Sequence, residues 1–222
     1  MSVKWLASLP RSLILTAALA FSFSASAFTE GTDYMELEKP IPDADKTLIK
    51  IFSYDCPFCY KYDKAVTGPV SEKVKDVVAF TPFHLETKGK YGKQGSEVFA
   101  VMLARDRAAG ISLFDDNSQF KKAKFAYYTA YHDKKERWSD GKDPASFIKT
   151  GLDAAGVSQA DFEAALNDPA VQETLEKWKA AYEVAKIQGV PAYVVNGKYL
   201  IYTKNIKSID SMAELVRELA AK

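Results

Sequence analysis

The chain is poor in the side chains that build metal centres and disulfide scaffolds: its 222 residues include two cysteines and two histidines. A structural zinc site needs four such ligands, and His84 and His132 stand at no recognised zinc spacing from the cysteines. No metal and no cofactor are therefore expected. A stapled scaffold needs several cysteine pairs, so that class is excluded. Charge of one sign is also missing: 30 basic side chains face 29 acidic ones. Such near-neutrality argues against nucleic acid as a partner. Apolar runs stay short of the roughly 20 residues that span a bilayer as a helix, and neither internal repeats nor low-complexity segments occur.

The N-terminus reads as a secretory signal peptide over residues 1–27. Lys4 and Arg11 supply positive charge, Leu13 to Phe23 is apolar apart from Thr16 and Ser22, and Ala25-Ser26-Ala27 has the small-x-small form of a cleavage site. Cleavage after Ala27 leaves 195 residues with a net charge of −1. An uncleaved membrane anchor is the rival reading. Export would place both cysteines where disulfides persist.

Both cysteines fall in Cys56-Pro57-Phe58-Cys59, between a strand-like run, Leu48 to Tyr54, and a helix expected from Pro57 to about Thr67. Pro57 suits the first helical position, where its missing N–H costs nothing. Cys56 is then the N-cap, and Cys59 lies one turn on along the same face, within disulfide reach. Orphan N–H groups and the positive end of the helix dipole favour a thiolate on Cys56. A structural bridge, a zinc half-site and a pair of ordinary buried thiols are the alternatives. A bridge that encloses two residues constrains the unfolded chain little. A Cys-His hydrolase has no local support for its base. The context favours a redox pair, with Cys56 the exposed, attacked sulfur and Cys59 the resolving one.

Residues 28 to 46 read as a polar lead-in with a short edge strand at Tyr34 to Leu37. Val77 to Leu85 reads as a second strand, with Pro82 pointing to an edge position or to its end. Lys88 to Gly95 reads as a glycine-rich loop, and Ser96 to about Asp168 as helical, with no strands. A long helix is expected from Pro169 to about Ile187, stopped at Gly189-Val190-Pro191. A hairpin then turns at Asn196-Gly197, and an amphipathic helix, Ser208 to Ala221, closes the chain.

CxxC at a helix start, Gly189-Val190-Pro191-Ala192 leading into a strand, and the helical stretch between them resemble the thioredoxin fold of DsbA-type thiol:disulfide oxidoreductases. Pro57-Phe58 between the cysteines is similar to the DsbL branch. The resemblance implies an α/β thioredoxin fold built from 28–88 and 168–222, with an inserted helical subdomain at 89–167. It implies a periplasmic, monomeric dithiol oxidase of newly exported proteins, reoxidised by a DsbB-type (DsbI-like) quinone-linked inner-membrane protein. An isomerase or reductase kept reduced is one rival, and a non-catalytic thioredoxin-like binding module is another. The resemblance also implies a cis Val190–Pro191 loop that faces the cysteines and offers Val190 N–H and C=O to an extended substrate. Phe58 is expected either to make apolar contact with substrate beside the reacting sulfur or to be an exposed aromatic that only fills space. Where the family carries a buried acidic residue, six positions before the first cysteine, this chain has Lys50. That lysine either tunes the thiolate as a cation or packs its stem and reaches water with its head.

Overall fold

A computed structural model describes residues 1–2 and 28–222; the expected signal peptide and its cleavage site fall almost wholly outside them. One mixed sheet orders its strands β1-β5-β4-β2-β3, with β1 Tyr34–Glu36, β2 Thr47–Phe52, β3 Ala79–His84, β4 Ala192–Val195 and β5 Tyr199–Ile201. Strand β3 runs parallel to β2, and the remaining pairs are antiparallel. Pro82 lies on the edge strand, paired in register with Lys50, where a residue without an N–H is tolerated. The hairpin between β4 and β5 turns on Asn196 and Gly197, both at positive φ (53° and 67°), as an Asn-Gly two-residue turn requires.

Alternation along the strands feeds two cores. Leu48, Tyr193, Val195 and Ile201 pack against α2 (Thr67–Val74) and the C-terminal helix Ile209–Ala220. Ile49, Ile51, Val194 and Leu200 pack on the other face, continuous with the helices of the 92–188 stretch. Those are α3 Gly92–Ala108, α4 Gln119–Tyr128, a turn α5 Trp138–Gly141, α6 Pro144–Ala155, α7 Gln159–Ala165, α8 Pro169–Trp178 and α9 Ala181–Gln188. With α1 Pro57–Ala65 ahead of α2, the C-terminal helix is α10. No strand comes from 96–168.

Three boundaries differ from expectation. The first helix does not stop at Gly68-Pro69: the chain kinks at Val66 and continues as α2, with Pro69 inside its first turn. N–H groups there have no helical partner in any case. The glycine run is not all loop, because α3 already starts at Gly92. A Cβ on Gly92 would sit 1.9 Å from the Glu86 carbonyl oxygen and one on Gly95 would sit 3.0 Å from the His84 ring, so these glycines serve close packing. Finally, the helix expected over 169–187 breaks after Trp178. In α8, Val171, Thr174 and Trp178 are buried, and in α9, Ala181 and Val184; α8 packs on α3 and α9 on β4.

Candidate active site

Strand β2 ends at Phe52, and a turn carries the chain into α1: Cys56 N–H donates to the Ser53 carbonyl (3.2 Å) and Ser53 Oγ donates to Asp55 Oδ1 (2.8 Å). Lys88 pairs with Asp55 at 3.4 Å. Cys56 has extended backbone (φ −92°, ψ 112°) and caps α1, its Sγ accepting the Cys59 N–H at 3.0 Å, with Pro57 in the first turn. The two cysteines form a disulfide, Cα to Cα 5.2 Å. An N–H aimed at Sγ from the start of a helix is a geometry that favours a thiolate on that sulfur.

The Val190–Pro191 peptide is cis, and the Val190 carbonyl oxygen lies 3.3 Å from Cys56 Sγ. Cys56 is only 3% exposed and Cys59 wholly buried. Both cysteines are thus buried, and the N-cap sulfur is far less open than expected, because the Val190 carbonyl lies against it. Exposure is concentrated on Phe58, at 60%, with the Lys61 ammonium 5.4 Å from its ring centre.

Lys50 does not reach water. It is buried on the sheet face toward α1, and its Nζ meets Asp63 Oδ1 (2.7 Å), Thr67 Oγ1 (3.1 Å) and the Cys59 carbonyl oxygen (3.5 Å). Lys124 of α4 reaches the same Asp63 oxygen at 3.2 Å, and Tyr128 donates to its other oxygen at 2.9 Å. Two buried cations thus share one carboxylate directly beneath the resolving cysteine. Burial brings Lys50 down to about 8 against the pull of Asp63. Burial would raise Asp63, but Lys124, Lys50 and the bonds from Lys50 and Tyr128 hold it at about 2. Sequence reasoning found Lys50 and missed its partners. The signal was present: Asp63 lies four residues after Cys59, and Lys124 sits midway between Phe120 and Tyr128 at helical spacing on a buried stripe. Both histidines, unassigned from sequence, are placed. His84 is enclosed among Phe52, Tyr54 and Phe99 and bonded to Ser96 (2.8 Å), its pKa pushed down to about 3 by burial. His132 meets the active-site turn at the Tyr54 carbonyl (3.1 Å). Among the described residues no group of histidine, cysteine and acidic side chains could hold a metal ion, and no helix is long and apolar enough to cross a membrane.

The profile of the DSBA-like thioredoxin domain matches residues 47–220. Over its full length the chain is 83% identical to the whole of the thiol:disulfide interchange protein DsbL of Escherichia coli O6:H1 (strain CFT073). The crystal structure of Salmonella enterica serovar Typhimurium DsbL superposes with a TM-score of 0.88 at 88% identity, covering 89% of this chain and all of that one. The DsbA of Klebsiella pneumoniae, at 19% identity, has a TM-score of 0.69 over 89% of this chain and all of its own, a likeness of fold. With an oxidised CxxC pair capping a helix beside a thioredoxin-like sheet, the chain belongs to the DsbA-like family of thiol:disulfide oxidoreductases, in its DsbL branch.

Proposed function

We propose that this chain is a periplasmic dithiol oxidase that donates the Cys56–Cys59 disulfide to newly exported proteins. The observation that carries the reading is the helix cap: Cys56 Sγ receives the Cys59 N–H at 3.0 Å at the positive end of α1, so the reduced state is stabilised as a thiolate and the disulfide is readily given away. A substrate thiolate attacks Cys56 Sγ and forms a mixed disulfide, and the S–S bond breaks to expel Cys59, which takes up a proton. The second substrate thiolate then attacks its own half of the mixed disulfide, closing the substrate bond and releasing Cys56 as thiolate. Two electrons have passed to the enzyme, and a DsbB-type (DsbI-like) quinone-linked inner-membrane protein removes them.

Substrate recognition falls to Val190, Pro191 and Phe58. The Val190 carbonyl points at the sulfur, and the Val190 N–H makes no hydrogen bond within the described residues, which leaves that N–H for an extended substrate backbone. Phe58, exposed beside the sulfur, offers apolar area. Lys50 acts as the thiolate-tuning cation, through its place under Cys59.

Trapping tests the assignment. Cys59→Ala should accumulate mixed disulfides with exported proteins and with the membrane reoxidant, because the resolving thiol is gone, while Cys56→Ala should accumulate few. Equal trapping by both variants, or trapping only through Cys59, would reverse the roles. The redox state of the pair in its compartment, together with its potential against glutathione, separates the oxidase from the alternatives. A reduced pair indicates an isomerase or reductase, and an oxidised pair of very negative potential indicates a passive bridge.

A further inference from the structure

One imidazole of the helical stretch reaches the backbone of the active-site turn. After Tyr128 the chain widens from α4 into a π-helical turn, Thr129–Asp133, a rare arrangement that is frequent at functional sites. This turn carries His132, whose Nε2 lies 3.1 Å from the Tyr54 carbonyl oxygen, two residues before Cys56. A carbonyl can only accept, so the ring keeps its proton on Nε2 and donates. The ring is stacked on Tyr60 of α1 (centroids 5.7 Å, planes 24° apart), and Tyr60 in turn donates to Asp133 at 2.8 Å. His132 therefore contacts both the turn before the CxxC pair and the helix after it.

With Nε2–H committed to Tyr54, the ring titrates at Nδ1 and can gain a proton without losing that bond. Its charge changes while its position holds. The groups around it are Tyr54 and Asp55 from the active-site turn and Tyr60, with Lys64 over its ring, from α1. Tyr128, Tyr131 and Asp133 lie on its own helix, with Lys135 just beyond. Burial lowers the ring's pKa, opposed by the bond to the Tyr54 carbonyl and by the Asp55 and Asp133 carboxylates.

We propose that His132 is a positioning residue of the exchange reaction that makes the oxidising power of the Cys56–Cys59 pair depend on pH. The inference rests on Cys56 as the thiolate-bearing nucleophile. Reduction adds two electrons, breaks the S–S bond, places a proton on Cys59 and leaves Cys56 negative. A protonated His132, bonded to the Tyr54 carbonyl two residues before Cys56, then shares the active-site turn with a negative charge that the oxidised form lacks, so the reduced form binds that proton more tightly. By linkage, acid favours the reduced form: the extra oxidising power is complete below the ring's pKa in the oxidised protein and is gone above its higher pKa in the reduced protein.

Proton NMR reads this directly, since the chain has two histidines and His84, at about 3, is silent between pH 5 and 8. The His132 midpoint should lie roughly half a pH unit or more higher in the reduced protein than in the oxidised one, in the sense an added neighbouring anion imposes. The Cys56 thiolate titration is followed in the same reduced sample. Equal His132 midpoints beside a strongly acidic Cys56 would overturn the proposal; an ordinary Cys56 titration would overturn the nucleophile assignment itself. His132→Gln can keep an N–H donor but carries no charge. Its equilibrium with glutathione should lose the excess acid shift that the unsubstituted protein shows. Retention of that shift in full would also overturn the proposal, whereas a merely structural role would alter thermal stability and leave the pH slope in place.

Discussion

At the scale of single residues, the most demanding feature is the pair of lysines that share Asp63. Charges this deep persist only when paired and hydrogen-bonded, and removal of one partner leaves an uncompensated ion, at a cost of about 3–5 kcal/mol. Asp63→Asn should therefore lower stability to urea by about that amount, and loss of less than about 1 kcal/mol would mean the lysines find other partners. Asp63 also sets an acid limit. Its carboxyl, held at about 2 against an ordinary 3.8, contributes stability that is fully present above about pH 4 and lost as pH falls through about 2. The contribution is roughly 2 kcal/mol. Acid titration of the unfolding free energy should show that loss, and Asp63→Asn should not. Lys50→Met isolates the redox role, since it removes a cation while filling similar space. If the charge favours the thiolate, the variant has a higher Cys56 pKa and a less oxidising pair, by about 30 mV for each 1.4 kcal/mol. An unchanged thiolate titration would leave Lys50 a structural ion.

Among the elements, the sequence was legible wherever local chemistry and tertiary demand agree. Pro57 after Cys56, Ser208 at the start of the last helix, and Asn196-Gly197 each act within a few residues, and each marks a boundary the structure shows. The chain was harder to read where a distant surface decides. Nothing between Trp178 and Ala181 is a breaker, yet the helix divides there, because α8 serves α3 and α9 serves β4. Gly92 and Gly95 look like loop residues in one dimension and are packing residues in three. The same holds at the site: the CxxC geometry follows from four consecutive residues, whereas Asp63 meets Lys50 and Lys124, and His132 meets the Tyr54 carbonyl, only when α1, β2, α4 and the π-helical turn are assembled. Gly92→Ala tests the packing reading. With its new Cβ meeting backbone at 1.9 Å, α3 must shift, and a loss of about 3 kcal/mol, the upper end of overpacking costs, is expected in thermal or urea unfolding. A loss within about 0.5 kcal/mol would show that the start of α3 frays freely.

For the whole molecule, redox chemistry and folding form one cycle. Thiolate stabilisation exists only in the folded state, because it needs a formed α1 to cap and the buried cations that the fold places beneath it. The disulfide, by contrast, encloses two residues and restrains the unfolded chain little. If the folded pair is more oxidising than the same CxxC in the unfolded chain, thermodynamic closure requires the reduced protein to be the more stable form. The difference is about 1.4 kcal/mol for each 30 mV separating the two potentials. Urea unfolding of both forms at neutral pH should therefore place the reduced midpoint above the oxidised one, with similar slopes because both forms bury the same surface. As pH falls below the Cys56 pKa the thiolate is protonated, its stabilisation is lost, and the two midpoints should converge. A disulfide form that is the more stable at neutral pH would mean that the bond braces the fold, and the role of oxidase would then have to be given up for that of a passive bridge.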